Sequence, residues 1–266
     1  MPATETAPAE DLALLVAAAR EAAQIATGFA APEIWDKADG QGPVTEADLA
    51  VDRMLRDRLG AARPGYGWLS EETSDSPDRL SARRIFIIDP IDGTRAFIEG
   101  SRDWAHSLAV AEAGRVIAAA VLLPQRGLLY TAHAGGGAQL NGRAIRASAE
   151  ADPARATLLG PRLAMSPEHW SGGEVPPVQR AFRSSLAWRL CLLAEGRFDA
   201  MLTIRPTWEW DVAAGTLILS EAGGRATDRR GAALAFNRPH PQSDGVLAGG
   251  ALHPVLLARL ADPPPG

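Results

Sequence analysis

Four consecutive apolar residues, Ile85-Phe86-Ile87-Ile88, run directly into Asp89-Pro90-Ile91-Asp92-Gly93-Thr94, and this junction constrains the chain more than any other stretch. An apolar run of this length without alternation reads as a strand buried on both faces. Asp89 follows where the strand meets solvent. Pro90 lacks an N–H and disfavours helical geometry at Asp89, so the ladder is expected to stop there. Gly93 removes a side chain where a ligand would approach the backbone. Thr94 stands where it could cap a short helix over Arg95-Ala96-Phe97-Ile98. The stretch supplies two carboxylates, a hydroxyl and a helix start that favours anions. Carboxylates attract metal and a helix start attracts phosphate, a pairing that points to metal-assisted phosphate chemistry.

The rest of the chain reads as a soluble globular protein large enough for one big core or two modest ones. It has 266 residues with 46% hydrophobic and 22% charged content. The net charge of −5 gives no electrostatic reason to expect a nucleic-acid polymer or a membrane as partner. The single cysteine, Cys191, excludes an internal disulfide, fits a reducing compartment, and lies among leucines as a buried thiol would. The first residues show neither a basic segment nor an apolar one of the secretory type, and no apolar stretch is bilayer-long; the cytoplasm is the expected location. Lys37 is the only lysine, so there is no P-loop.

In chain order, residues 11–29 have the apolar spacing of an amphipathic helix. Residues 39–43 form a loop, and Thr45 opens a second helix with Asp48 at capping-box spacing. Residues 66–69 read as a strand leading into Ser70-Glu71-Glu72. Residues 106–146 read as antiparallel strands with turns at 112–114, 124–127, 134–137 and 141–142. Ala149-Glu150-Ala151-Asp152-Pro153 is the candidate boundary between an N-terminal α+β half (1–150) and a C-terminal α/β half (151–266). Beyond it come strands at 156–159, 199–204 and 246–248, and helices at 185–195, 211–221 and 253–260. Residues 261–266 read as a frayed tail.

Acidic residues recur at element ends: Asp48, Glu71-Glu72, Asp89 with Asp92, and Asp211. Taken alone, Asp48 closes a capping box, Glu71 and Glu72 make a solvated turn, and Asp211 sits in the first turn of its helix. Taken together they need a counter-charge, since two unit charges about 4 Å apart near a protein surface repel by about 4 kcal/mol. With oxygen donors only, Mg²⁺ is preferred over Zn²⁺. None of the five histidines falls in a metal-binding pattern.

These residues resemble the lithium-sensitive, magnesium-dependent phosphomonoesterases of the inositol monophosphatase superfamily. Asp89 to Thr94 matches its DP(I/L)DGT motif. Trp210-Asp211-Val212-Ala213-Ala214-Gly215 matches its WD-x-A-(A/G)-G motif, continued by Glu221-Ala222-Gly223-Gly224. Ser70-Glu71-Glu72 is similar to its (G/S)EE motif, and Pro43 to Asp48, with Lys37 upstream, to its VT-x-x-D segment. The two-residue gap between Asp89 and Asp92 departs from the DxDx(T/V) of haloacid-dehalogenase-type phosphatases. The resemblance implies a five-layer α-β-α-β-α sandwich within the α/β (α+β) class, two or three Mg²⁺ ions, and commonly a homodimer. It places one ion on Glu71, Asp89 and the carbonyl of Ile91, a second on Asp89, Asp92 and Asp211, and a weaker third near Glu71. Thr94, hydrogen-bonded to Asp48, would orient and help activate the attacking water. The amides of Gly93 and Thr94 would hold the phosphate.

The resemblance also divides by leaving group. Inositol-type members place a Glu seven residues before the WD aspartate, where this chain has Ile204. Bisphosphate nucleotidases carry LSEE, PT-x-x-WD and serines before LLAEG. This chain has Leu69 to Glu72, Pro206 to Asp211, and Ser184-Ser185 before Leu192 to Gly196. The implied substrate is 3′-phosphoadenosine 5′-phosphate, cleaved to AMP and phosphate, with Ser185, Arg189 and Arg205 as candidate substrate ligands. The nucleotidases' lysine after the serines is missing, Arg189 being the nearest basic residue. An inositol-1-monophosphatase or broad sugar and polyol phosphatase is the alternative enzyme. A binding protein that kept the fold, as one bacterial member serves in ribosomal RNA transcription, is the alternative from another class.

Overall fold

The structure is a computed structural model, described over residues 6–37 and 42–262. The expected loop at 39–43 and the expected tail therefore lie largely outside the described residues. The chain opens with α1 (Pro8–Gly28), a short hairpin of β1 (Ile34–Asp36) and β2 (Pro43–Thr45), and α2 (Glu46–Ala62). The helix α1 buries Leu15, Ala18, Ala19, Ala22 and Ala26, a single stripe at helical spacing. The capping box on α2 is formed as expected, Thr45 and Asp48 each accepting from the other's backbone N–H.

A seven-stranded sheet follows, in the order β3 (Gly67–Ser70), β4 (Arg84–Asp92), β5 (Ala105–Glu112), β6 (Arg115–Leu123), β7 (Leu128–His133), β8 (Ala138–Leu140) and β9 (Arg143–Ala144). Only the first pair is parallel. The short helix α3 (Thr94–Ile98) interrupts it after β4. The expected turns all fall between strands, and Asn141-Gly142 takes the left-handed geometry of a tight hairpin, with φ of 49° and 77°.

Five further strands form a mixed sheet: β10 (Thr157–Leu159), β11 (Gln179–Ala181), β12 (Ala200–Thr203), β14 (Arg225–Thr227) and β16 (Val246–Gly249), ordered β11-β10-β12-β16-β14. A separate two-stranded ribbon pairs β13 (Thr207–Trp208) with β15 (Gln242–Ser243). The helices here are α4 (Leu186–Ala194), α5 (Glu209–Glu221) and α6 (Leu252–Leu257). No helix among the described residues is long and apolar enough to cross a membrane.

Strand periodicity sorts these elements into five layers. Phe86, Ile88, Leu108, Val110, Ala118 and Ala120 face the α1/α2 layer. Their alternates Ile85, Ile87, Ala109, Ala119 and Val121 face α4 and α5. The same central helices cover Met201, Val246 and Ala248 of the smaller sheet, whereas Leu202 and Leu247 point the other way, toward Trp170, Leu252 and Leu256. The order is thus helix, sheet, helix, sheet, helix, as the resemblance implied. Residues 187–194 of α4 are buried all round because the helix lies between two sheets.

Two local expectations change. The ladder does not end at Pro90: β4 continues to Asp92 through a bulge, pairing Asp89 with Ser107 and Asp92 with Ala105. A bulge is where an internal strand tolerates a residue without an N–H. Nor does Thr94 cap α3; Gly93, at φ 99°, takes the cap position, and the Thr94 hydroxyl turns elsewhere.

The helices α4 and α5 meet at Gly215, where an added Cβ would lie 2.5 Å from Leu190 Cβ and 3.2 Å from the carbonyl oxygen of Ala187. Gly215→Ala is expected to destabilise the fold by about 1–3 kcal/mol despite its better helix propensity, measured by urea unfolding.

Candidate active site

The bulge decides where two carboxylates go. In a regular strand, residues three apart point to opposite faces. One extra residue between Asp89 and Asp92 reverses that phase. Both side chains, with Glu71 from the end of β3 and Asp211 from the first turn of α5, line one cleft of about 490 Å³, together with Gly93 and Thr94. Four of the acidic residues singled out in the sequence, far apart along the chain, line this one cleft; Asp48 and Glu72 stand outside its lining.

Each carboxylate is held differently. Asp92 accepts from Ser185 Oγ at 2.7 Å and from the amides of Leu186 and Ala187 at 3.1 and 2.6 Å. It therefore receives the first-turn donors of α4, which favour a negative charge. Burial nevertheless pushes its pKa up to about 6, against these donors and nearby Arg189. Asp89 is 1% exposed and its Oδ1 has no hydrogen-bond partner. Burial, then repulsion from Glu71, Asp92 and Asp211, raises its carboxyl well above the usual range. Asp211 is raised likewise by burial and by Asp92 and Glu71. Glu71 and Glu72 share the Lys37 ammonium, each at 2.7 Å. Burial and the adjacent Glu71 push Glu72 up to about 7 even so.

The Thr94 hydroxyl stands 3.2 Å from Asp48 Oδ1 and 3.2 Å from the carbonyl oxygen of Ile91, one proton facing two acceptors. The other oxygen of Asp48 accepts from the Thr45 N–H and hydroxyl. Burial raises the Asp48 pKa. Asp48 thus serves both its capping box and Thr94, so its two readings are not alternatives.

The remaining candidates fall less directly. Ser185 caps α4, accepting from the Trp188 N–H at 3.0 Å while donating to Asp92, and so acts on the cleft through Asp92. Arg189 is 7% exposed and bound to the carbonyls of Arg183 and Ser184. It lies behind the cleft wall. Arg205 is exposed and is not part of the cleft lining.

Several positioning residues carried no motif signal. His106, fully buried, faces the Pro90 carbonyl through Nδ1, which must carry the proton, and braces the bulge. Burial pulls its pKa down to about 4, so it is neutral near pH 7. Ser107 donates to the Trp210 carbonyl at 3.2 Å, tying β5 to the start of α5. Asp52 accepts from Ser70 and Thr73 on either side of Glu71-Glu72. A period-four spacing from Asp48 to Asp52 on α2 was the only available hint.

The donor set fits a hard divalent cation: oxygen ligands only, an unpartnered buried carboxylate oxygen, and several carboxylates whose charges oppose one another. The side chains line the cleft without closing into a finished cage; among the described residues no three His, Cys, Asp or Glu stand at ligand spacing.

Layered sheets around an acidic cleft with a helix start at its edge suit a cation and a phosphate side by side. Residues 7–262 match the inositol monophosphatase family. An inositol-1-monophosphatase of Rhizobium meliloti is 37% identical over 198 residues, covering 71% of this chain and 73% of that protein. A 3′-phosphoadenosine 5′-phosphate phosphatase of Mycobacterium leprae is 34% identical, covering 81% of each. The solved Thermotoga maritima IMPase superposes with a TM-score of 0.80 at 26% identity, over 93% of this chain and 95% of that one. The chain belongs to the inositol monophosphatase family, whose members are metal-dependent phosphatases.

The raised carboxyls carry a linkage whose sign can be checked. Acids whose folded pKa exceeds the unfolded value bind more protons when folded, so the metal-free fold gains stability as pH falls through the raised pKa. For Asp92 that window runs from above its folded value of about 6 down to its ordinary 3.8. Saturating Mg²⁺ is therefore expected to raise Tm more at pH 8 than at pH 5 in thermal scans. Asp89→Asn is expected to raise the metal-free Tm by a few degrees and to abolish most of the Mg²⁺-dependent gain.

Proposed function

We propose that the protein is a Mg²⁺-dependent, lithium-sensitive 3′(2′),5′-bisphosphate nucleotidase that hydrolyses 3′-phosphoadenosine 5′-phosphate to AMP and phosphate. The observation that carries the hydrolytic reading is Asp89, a buried carboxylate with an unpartnered oxygen facing three other acidic groups in a cleft. Such a group is costly unless a cation joins it. Glu71, Asp89 and the Ile91 carbonyl would hold one ion, and Asp89, Asp92 and Asp211 a second. When bound, magnesium supplies charge neutralisation at the phosphate and acidifies water.

The chain's own groups supply the rest. Thr94 orients the attacking water and passes its proton toward Asp48, whose burial makes it a better base than an exposed aspartate. The Gly93 and Thr94 amides at the cleft edge hold phosphate oxygens. Asp48 stays oriented by Thr45, and Asp92 by Ser185 and the start of α4.

Ile204 supports the nucleotide over the inositol ester. Its side chain packs toward the outer core around Trp170 and Leu202, leaving no carboxylate at that position to hold a polyol hydroxyl. The second reading, an inositol-1-monophosphatase, draws on the 37% identity to the Rhizobium enzyme.

A panel of phosphate esters assayed with Mg²⁺, with and without Li⁺, tests this. kcat/KM for the nucleotide is expected to exceed that for inositol 1-phosphate at least tenfold, and millimolar Li⁺ to inhibit. A reversed preference would favour the second reading. Thr94→Ala is expected to lower kcat by about 10²–10⁴ with little change in KM, since it removes proton transfer while leaving the carboxylates in place.

A further inference from the structure

Two groups on the cleft wall have no part in the chemistry above. Phe182, between β11 and α4, lines the cleft with half its surface exposed, one of the few large apolar side chains left in water. An aromatic ring is not left there by want of packing partners, because Arg189 braces it from behind. That guanidinium lies 4.4 Å from the ring centroid, and its bonds to the carbonyls of Arg183 and Ser184 fix the segment that carries Phe182. One face of the ring is thus held by a buried cation and the ring remains accessible from the cleft.

Arg95, the residue after Thr94, lines the same cleft. It is exposed and its guanidinium makes no hydrogen bond or ion pair among the described residues. It reaches toward the cleft mouth: a Cβ on Gly42 would lie 3.8 Å from its Nη2. Arg20, Arg53 and Arg143 are likewise exposed and without a partner among the described residues, but of the described arginines only Arg95 lines the cleft. A cation left open beside a phosphate-ester cleft offers a bidentate site for a further anion.

We infer that Arg95 and Phe182 form the leaving-group subsite, Phe182 stacking an aromatic base and Arg95 binding a second phosphate on the same substrate. This rests on the hydrolase reading and narrows it to phosphomonoesters that carry both groups, as a nucleoside bisphosphate does. It reassigns the role expected of Arg189, which positions Phe182 and leaves phosphate binding to Arg95. A polyol phosphate has neither group, so both residues are idle toward it.

The test is steady-state kinetics with Mg²⁺ on three substrates: 3′-phosphoadenosine 5′-phosphate, adenosine 3′-phosphate and inositol 1-phosphate. Arg95→Gln is expected to cut kcat/KM for the bisphosphate at least ten times more than for adenosine 3′-phosphate, mainly through KM. Phe182→Leu is expected to cut kcat/KM for both nucleotides at least fivefold more than for inositol 1-phosphate, with Phe182→Tyr restoring it. Both side chains are exposed, so thermal scans should show folded variants. Penalties equal across the three substrates, or absent, would overturn the subsite while leaving the hydrolase intact. A wild-type protein that cleaves none of the three would overturn the hydrolase reading and this one with it.

Discussion

The repulsion among buried carboxylates governs how this protein is built. Asp89, Asp92 and Asp211 are brought into one cleft with Glu71, and desolvation, joined at Asp89 and Asp211 by repulsion from their neighbours, opposes the ionisation of the three aspartates. Each element end around the cleft answers part of that cost. The start of α4 gives Asp92 a hydroxyl and two amides, and Lys37 gives Glu71 and Glu72 an ammonium. Asp89 Oδ1 receives no hydrogen bond among the described residues, so its charge is the least compensated in the cleft. The five layers serve this arrangement: packed between the two sheets, α4 begins beside the end of β4, where its first amides meet Asp92.

Much of this was legible in the residues themselves. Uninterrupted apolar residues before Asp89 announced a strand buried on both faces, and Asn-Gly and Gly-rich pairs marked the turns of the antiparallel sheet. The acidic motifs pointed to metal and phosphate because their residue types leave little other chemistry. What escaped was long-range or depended on phase. Nothing local told that Pro90 would sit inside a bulge rather than end a strand, because the bulge exists through β5 pairing on both sides of it. Thr94 has good capping chemistry, yet Gly93 can take a left-handed φ and frees the hydroxyl for Asp48. His106, Ser107 and Asp52 are ordinary residues in sequence and become supports only once β5 and α2 are packed beside the cleft.

The family relationship fixes the scaffold and the class of reaction, while its members differ in the alcohol they release. That difference has to be written on the cleft wall, away from the acidic groups. Here the wall carries an exposed ring at 182 and, at 95, a guanidinium without a partner among the described residues, while Ile204 packs away into the outer core. Such features change without disturbing the layers, so a shared scaffold can serve several esters.

The bulge in β4 also separates the fate of the fold from that of the chemistry. Three residue steps laid out as an unbulged ladder would turn Asp92 across to the other face, away from α4, and break up the cluster. A strand made regular here, its length unchanged, could keep its place in the sheet and still lose the cleft. Strand phase is therefore under a constraint that stability alone would never reveal.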